Sequence, residues 1–237
     1  MSFMIYGMFP QTKPTSPKSS SDSVAIASIG ALAVAGLFDI ATGESLSMTE
    51  NSPATLIYFF RALDVYTSPL ALVCVTFAIF LWFRGSKKFL IWFDIVLALA
   101  LVALLNNLAG LIVSIFDPKV KASFLLLSAS LVYLENIAVF VAFYWRFDHK
   151  WQNRISMGEK IHPAVMFPQN SISSDSMRGW RPSFIDYLFL SFNTASTFGP
   201  TLPIPLRSSV HIGMMMQVSI AMAVLIMIAA RAIGLIA

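Results

Sequence analysis

Residues 193–205 read NTASTFGPTLPIP; a short apolar stretch (183–192) precedes them and a long one (208–237) follows. How this segment runs decides the fold. As a turn between two membrane helices it adds a crossing of the bilayer; as a segment that dips in and returns it does not. Gly199, Pro200, Pro203 and Pro205 are turn formers, because glycine frees the backbone and proline fixes φ and removes a donor. Asn193, Thr194, Ser196 and Thr197 place polar side chains just before the turn. In hydrocarbon each of them must find a hydrogen-bond partner.

The composition around this segment points to lipid as the solvent. The 237-residue chain is 57% hydrophobic and 12% charged, where a soluble domain carries about a quarter charged residues. Several apolar runs approach or exceed the ~20 residues that cross ~30 Å of hydrocarbon. The formal charge of +4 comes with no basic, aromatic-interleaved patch, so nucleic acid is not an expected partner. Cys74 is the single cysteine, which rules out an intrachain disulfide and a Cys-rich metal site. His149, His162 and His211 are scattered without ligand spacing, and no phosphate loop or nucleophile elbow occurs. GMMMQ at 213–217 reads as adaptable packing. No metal, no cofactor and no enzymatic activity are expected; the bilayer is the expected partner, with a homo-oligomer as a further option.

Residues 1–23 read as a flexible tail rich in Pro, Ser and Lys, without the order of parts of a signal peptide. Four membrane helices are expected within 24–145: 24–41, 69–83, 89–116 and 122–145. A helix near 53–66, with Arg61 and Asp64 on one face, lies at the interface or extends the second span. Ala27, Ala31 and Ala35 recur every fourth residue and offer the first helix a small face for close packing. The polar segment 146–182 is expected as a cytoplasmic loop, and 183–237 as a C-terminal helical hairpin. The fold class is therefore all-α: a polytopic transmembrane helical bundle of about six spans, with a re-entrant pore loop at 183–201 as the variant.

Charge placement favours six spans. With the N-terminus inside, the inner segments hold eleven basic residues: Lys13, Lys18, Arg84, Lys87, Lys88, Arg146, Lys150, Arg154, Lys160, Arg178 and Arg181. The outer segments hold four, Arg61, Lys119, Lys121 and Arg207. A re-entrant loop with its turn outside would export the basic loops, against the tendency of Lys and Arg to stay cytoplasmic. An integral protein of the bacterial inner membrane with both termini cytoplasmic is expected.

Charged groups within spans are functional candidates, because each costs at least ~2.5 kcal/mol at the helix centre. Asp94, Glu135 and Asp186, with Arg231 as counter-charge, fall at broadly similar depth in the six-span arrangement. Asn193, Thr194, Thr197 and Gln217 form a second polar group from the last two spans. Together these eight residues are the candidate site, for a relay of protons or cations or a path for a small solute. Asn106 and Asn107 are weaker candidates of the same kind.

FLSFNTASTFGPTLPIPLRSSV, residues 189–210, resembles the pore helix and filter of potassium channels through Thr197, Phe198 and Gly199. It departs where Pro200 and Thr201 replace the aromatic and the second glycine. That resemblance implies a tetrameric pore subunit with backbone carbonyls as ligands. The same third of the chain also resembles a set of uncharacterised bacterial multi-span membrane proteins. The shared pieces are Phe167-Pro168, Trp180 to Phe192, Pro203 to Arg207 and Ala230 to Ala232, and they imply no particular activity. A non-transporting membrane scaffold is the third reading.

Overall fold

The computed structural model describes residues 17–45, 54–115, 120–171, 179–196 and 202–236. They form helices α1 (Pro17–Ser45), α2 (Ala54–Phe83), α3 (Phe89–Ile115), α4 (Ala122–Ser156), α5 (Phe184–Ala195) and α6 (Ser208–Ile236). Two short strands, β1 (Val165–Met166) and β2 (Ile204–Pro205), pair antiparallel. Four stretches are long and apolar enough to cross a membrane: Asp22–Thr42 in α1, Phe89–Ile115, Ala122–Ser156, and Ser208–Arg231 in α6. Large side chains that face outward, such as Leu37, Val73, Ile91, Ile212 and Ile226, are apolar, as a lipid-facing surface requires. Helix α2 continues unbroken from Ala54, with Pro69 inside it. Its apolar described part, Pro69–Phe83, is shorter than the four spanning stretches. Proline there removes one backbone bond, a loss that membrane helices tolerate through neighbouring helices.

Contacts between helices fix their directions. Phe93 meets the Trp145 ring edge-on at 4.8 Å, and Asn107 meets Glu135, so α3 and α4 are antiparallel. Phe77 packs on Trp92 at 4.6 Å, so α2 and α3 are antiparallel too. Asp39 meets Asn107 and Asp22 lies in electrostatic reach of His149, so α1 runs parallel to α3. Arg231 donates to the Val120 carbonyl at 3.1 Å while Gly213 abuts Phe143, so α6 is antiparallel to α4. One end of the bundle thus gathers the start of α1, the α2–α3 turn, the end of α4 and the start of α6. That end is the basic end; the other gathers the end of α3, the start of α4 and the end of α6.

Helix α4 spans 35 residues, ~52 Å at 1.5 Å per residue, and therefore projects well beyond ~30 Å of hydrocarbon. Residues 146–156, read as loop from sequence, are its last turns. It closes with a Schellman pattern. Gly158 takes φ 90°, its N–H reaches Ile155 O at 3.0 Å, and the Glu159 N–H reaches Arg154 O at 3.2 Å.

The larger departure from expectation concerns 183–205. Helix α5 has 12 residues, ~18 Å, which is too short to cross. It starts at the basic end, where Tyr187 Oη donates to Asp148 at 2.7 Å, and descends until Ser191 Oγ reaches the Ile137 carbonyl at 2.8 Å. By β2 the chain is back at the basic end: Leu206 N donates to Ala164 O at 2.8 Å, and the Arg207 guanidinium lies 3.7 Å above the Trp151 ring. The expected fifth span does not cross, so α5 and α6 are not a transmembrane hairpin. As a result the start of α1 and the end of α6 lie at opposite ends of the bundle, where a shared side was expected. The physical reason is length: α5 ends at Ala195, half-way into the bundle.

The expected small face of α1 is also rotated. The buried positions are Val24, Ala25, Ser28, Ile29, Leu32, Ala35, Asp39 and Thr42, while Ala27 and Ala31 are half-exposed. This stripe keeps helical spacing, but size alone did not mark it.

Candidate functional site

Two buried polar clusters flank α4, and consecutive residues start them. Successive side chains of a helix point about 100° apart, so Glu135 turns toward α1 and α3 while Asn136 turns toward α6. In the first cluster the Asn107 amide nitrogen donates to Asp39 Oδ1 at 2.9 Å and to Glu135 Oε2 at 2.9 Å. Asp39 is 3%, Asn107 3% and Glu135 1% exposed. One amide thus holds carboxylates from two other helices, and each carboxylate has at least one further interaction. A cavity of about 230 Å³ opens beside them, lined by small and branched residues including Ala35, Gly36, Leu72, Val75, Val96 and Ala100.

The second cluster is centred on Gln217 of α6. Its amide nitrogen donates to Ser191 O at 3.0 Å and Ser191 Oγ at 2.8 Å, and its amide oxygen accepts from Tyr144 Oη at 2.7 Å. Asn136 Nδ2 reaches the Gln217 carbonyl at 3.3 Å. Every side-chain polar atom of Gln217 is thereby occupied, which ties α4, α5 and α6 together. Thr194 returns its hydroxyl to Leu190 O, as buried threonines in helices do. Asn136 Oδ1 and Asn193 Nδ2 are buried without a protein partner.

The expected site residues therefore do not form one constellation. Glu135 belongs to the first cluster, Gln217 and Thr194 to the second, and Asn193 lies beside the second on the last turn of α5. Asp94 is at the basic end, where Arg146 Nη2 donates to its Oδ2 at 2.6 Å and Arg146 Nε lies 2.6 Å from Oδ1 without hydrogen-bond alignment. That pair is about half-exposed on the Asp94 side, in the range where ion pairs add little. Asp186 accepts from the Ser183 backbone N–H and hydroxyl, both at 2.7 Å, which makes it the capping-box acid of α5. Arg231 sits at the opposite end from both acids and pairs with neither. Thr197 lies outside the described residues.

Asp39 and Asn107 join Glu135 in the first cluster, Asn107 having been only a weaker candidate and Asp39 not among the expected site residues. Asp39 lies near the far end of the first expected span, and nothing in a linear sequence says that Asn107, 68 residues from Asp39 and 28 from Glu135, joins the two. A third knot, at Asp148, was not expected at all. Its Oδ1 accepts from Ala164 N at 2.7 Å and Val165 N at 3.2 Å, and its Oδ2 from Gln152 at 2.9 Å and Tyr187 at 2.7 Å. This fully buried carboxylate pins the strand pair and α5 to α4.

Among the described residues no group of three or more His, Cys, Asp or Glu side chains is placed to hold a metal ion. No protein-family model, curated protein or solved structure matches the chain.

Proposed function

We propose that this chain is an integral membrane protein that moves a small cation, protons included, through the polar seam between α1, α3 and α4. One observation carries the reading: the Asn107 amide holds the Asp39 and Glu135 carboxylates together in the buried interior of apolar helices. Two carboxyl groups converging on one amide inside apolar helices gather several oxygen acceptors in one place. In this reading the pair is where the cation is held on its way through the seam. Buried acids in membrane helices mark ion pathways. The cavity beside the pair supplies an approach from the α1–α2 side.

In this reading the basic end is cytoplasmic. Of the basic residues whose side chains are described, Arg84, Lys87, Lys88, Arg146, Lys150, Arg154, Lys160, Arg181 and Arg207 lie there, against Lys121 and Arg231 at the other end: nine against two. Helix α5 then enters from the cytoplasm as a half-helix and the chain returns there. The bundle crosses five times, by α1, α2, α3, α4 and α6. A potassium-channel-like filter would face the opposite side, so this topology gives that reading no support.

Flux into proteoliposomes under imposed proton, sodium and potassium gradients tests the function. Wild-type vesicles are expected to exceed protein-free vesicles, and Glu135→Gln and Asp39→Asn to lose at least about ten-fold of that flux. Asp94→Asn, which removes only the surface ion pair, is expected to keep it. Flux equal to that of empty vesicles, or flux unchanged in Glu135→Gln, overturns the reading.

A further inference from the structure

Helix α6 packs along α4 and touches α3 far less. At the end away from the basic face this leaves an open groove of about 510 Å³, lined by Ile112 and Ile115 of α3 and by Ala223, Ile226, Met227 and Ala230 of α6. Alanine at 223 and 230 supplies too little volume to fill the space between the helices. The groove is open to the outside of the bundle, and its polar boundary is a single group, Arg231. Arg231 Nη2 donates to the Val120 carbonyl at 3.1 Å, but its Nε is buried without a partner. Among the described residues no carboxylate forms an ion pair with it.

We propose that this groove is a binding site for one anionic phospholipid, with an acyl chain between α3 and α6 and the phosphate on Arg231. The charge complementarity is specific. A guanidinium offers a fixed fork of N–H donors that matches two phosphate oxygens, and here part of that fork has no protein acceptor. The apolar lining suits a hydrocarbon chain, while the position at the end of α6 suits the depth of a headgroup. A zwitterionic lipid can fill the same groove, but its net neutral headgroup forgoes the attraction of one cation for an anionic lipid, about five-fold in affinity. Nothing in this inference depends on whether the chain transports ions.

Native mass spectrometry of the full chain in detergent, with phosphatidylglycerol and phosphatidylcholine added in equal amounts, tests it. The wild type is expected to retain one phosphatidylglycerol over phosphatidylcholine by about five-fold. Arg231→Gln is expected to bring that ratio to about one, and Arg231→Lys to keep part of it. Ile226→Trp, which fills the groove but leaves Arg231 in place, is expected to reduce retention of both lipids. Equal retention of the two lipids by the wild type, or an unchanged preference in Arg231→Gln, overturns the proposal. If Arg231→Gln does not elute as a single species, undiminished retention by Ile226→Trp overturns it equally.

Discussion

Single residues set the tightest constraints. A Cβ added at Gly213 would overlap the Phe143 ring, so α6 reaches α4 only because position 213 carries no side chain. Gly213→Ala is expected to cost about 1–3 kcal/mol through overpacking, seen as a lower melting temperature in detergent with unchanged helix content. Asp148 is the other constraint. Asp148→Ala would strand two backbone N–H groups, the Gln152 amide and the Tyr187 hydroxyl in a buried site, at a cost of about 3 kcal/mol or more. Proteolysis between 157 and 183 is expected to become faster in that variant. Asp148→Asn keeps an acceptor for the two backbone donors and is expected to fall between the wild type and Asp148→Ala.

Among the elements, α5 is the one whose role changes most on moving from sequence to structure. Its start is legible in the sequence: Ser183 followed three residues later by Asp186 is a capping box, and the bonds are present. Asp186 thus caps the start of α5 instead of joining the buried acid Glu135. Asp186→Ala is expected to cost about 1 kcal/mol of stability and to leave cation flux intact, the reverse of Glu135→Gln. A thermal melt and a flux assay on both variants check the contrast; a flux loss in Asp186→Ala equal to that in Glu135→Gln would contradict the assignment of α5 as a structural half-helix. The end of α5 was less legible, because Gly199, Pro200, Pro203 and Pro205 mark a turn without saying how deep in the bundle the helix before it stops.

For the whole molecule, sidedness follows from three reversals of direction between α4 and α6, which leave α6 antiparallel to α4. Cysteine labelling in a Cys74-free background checks it. Met157→Cys, exposed beyond the end of α4, is expected to react with an impermeant reagent only after lysis, while an epitope added after residue 237 is expected to be reached from outside intact cells. Both groups on one side of the membrane would restore a six-span arrangement.

Lipid as solvent, helices as the only spanning element, the approximate spans of α1, α3, α4 and α6, and the excess of basic residues on one side all followed from the sequence itself. Each depends on local composition and on the need of backbone groups in hydrocarbon to be satisfied within the same segment. The rotation of α1, the pairing of Asp39 with Glu135 through Asn107, the Gln217 and Asp148 knots and the return of α5 to its own side were decided by tertiary structure. They depend on which helices become neighbours. A periodic apolar pattern in a membrane helix says little about that, since lipid and protein neighbours are equally apolar. NTASTFGPTLPIP shows the boundary between the two: its residues announce a turn, but only the contacts of α5 with α4 and of β2 with β1 decide on which side of the membrane the chain emerges.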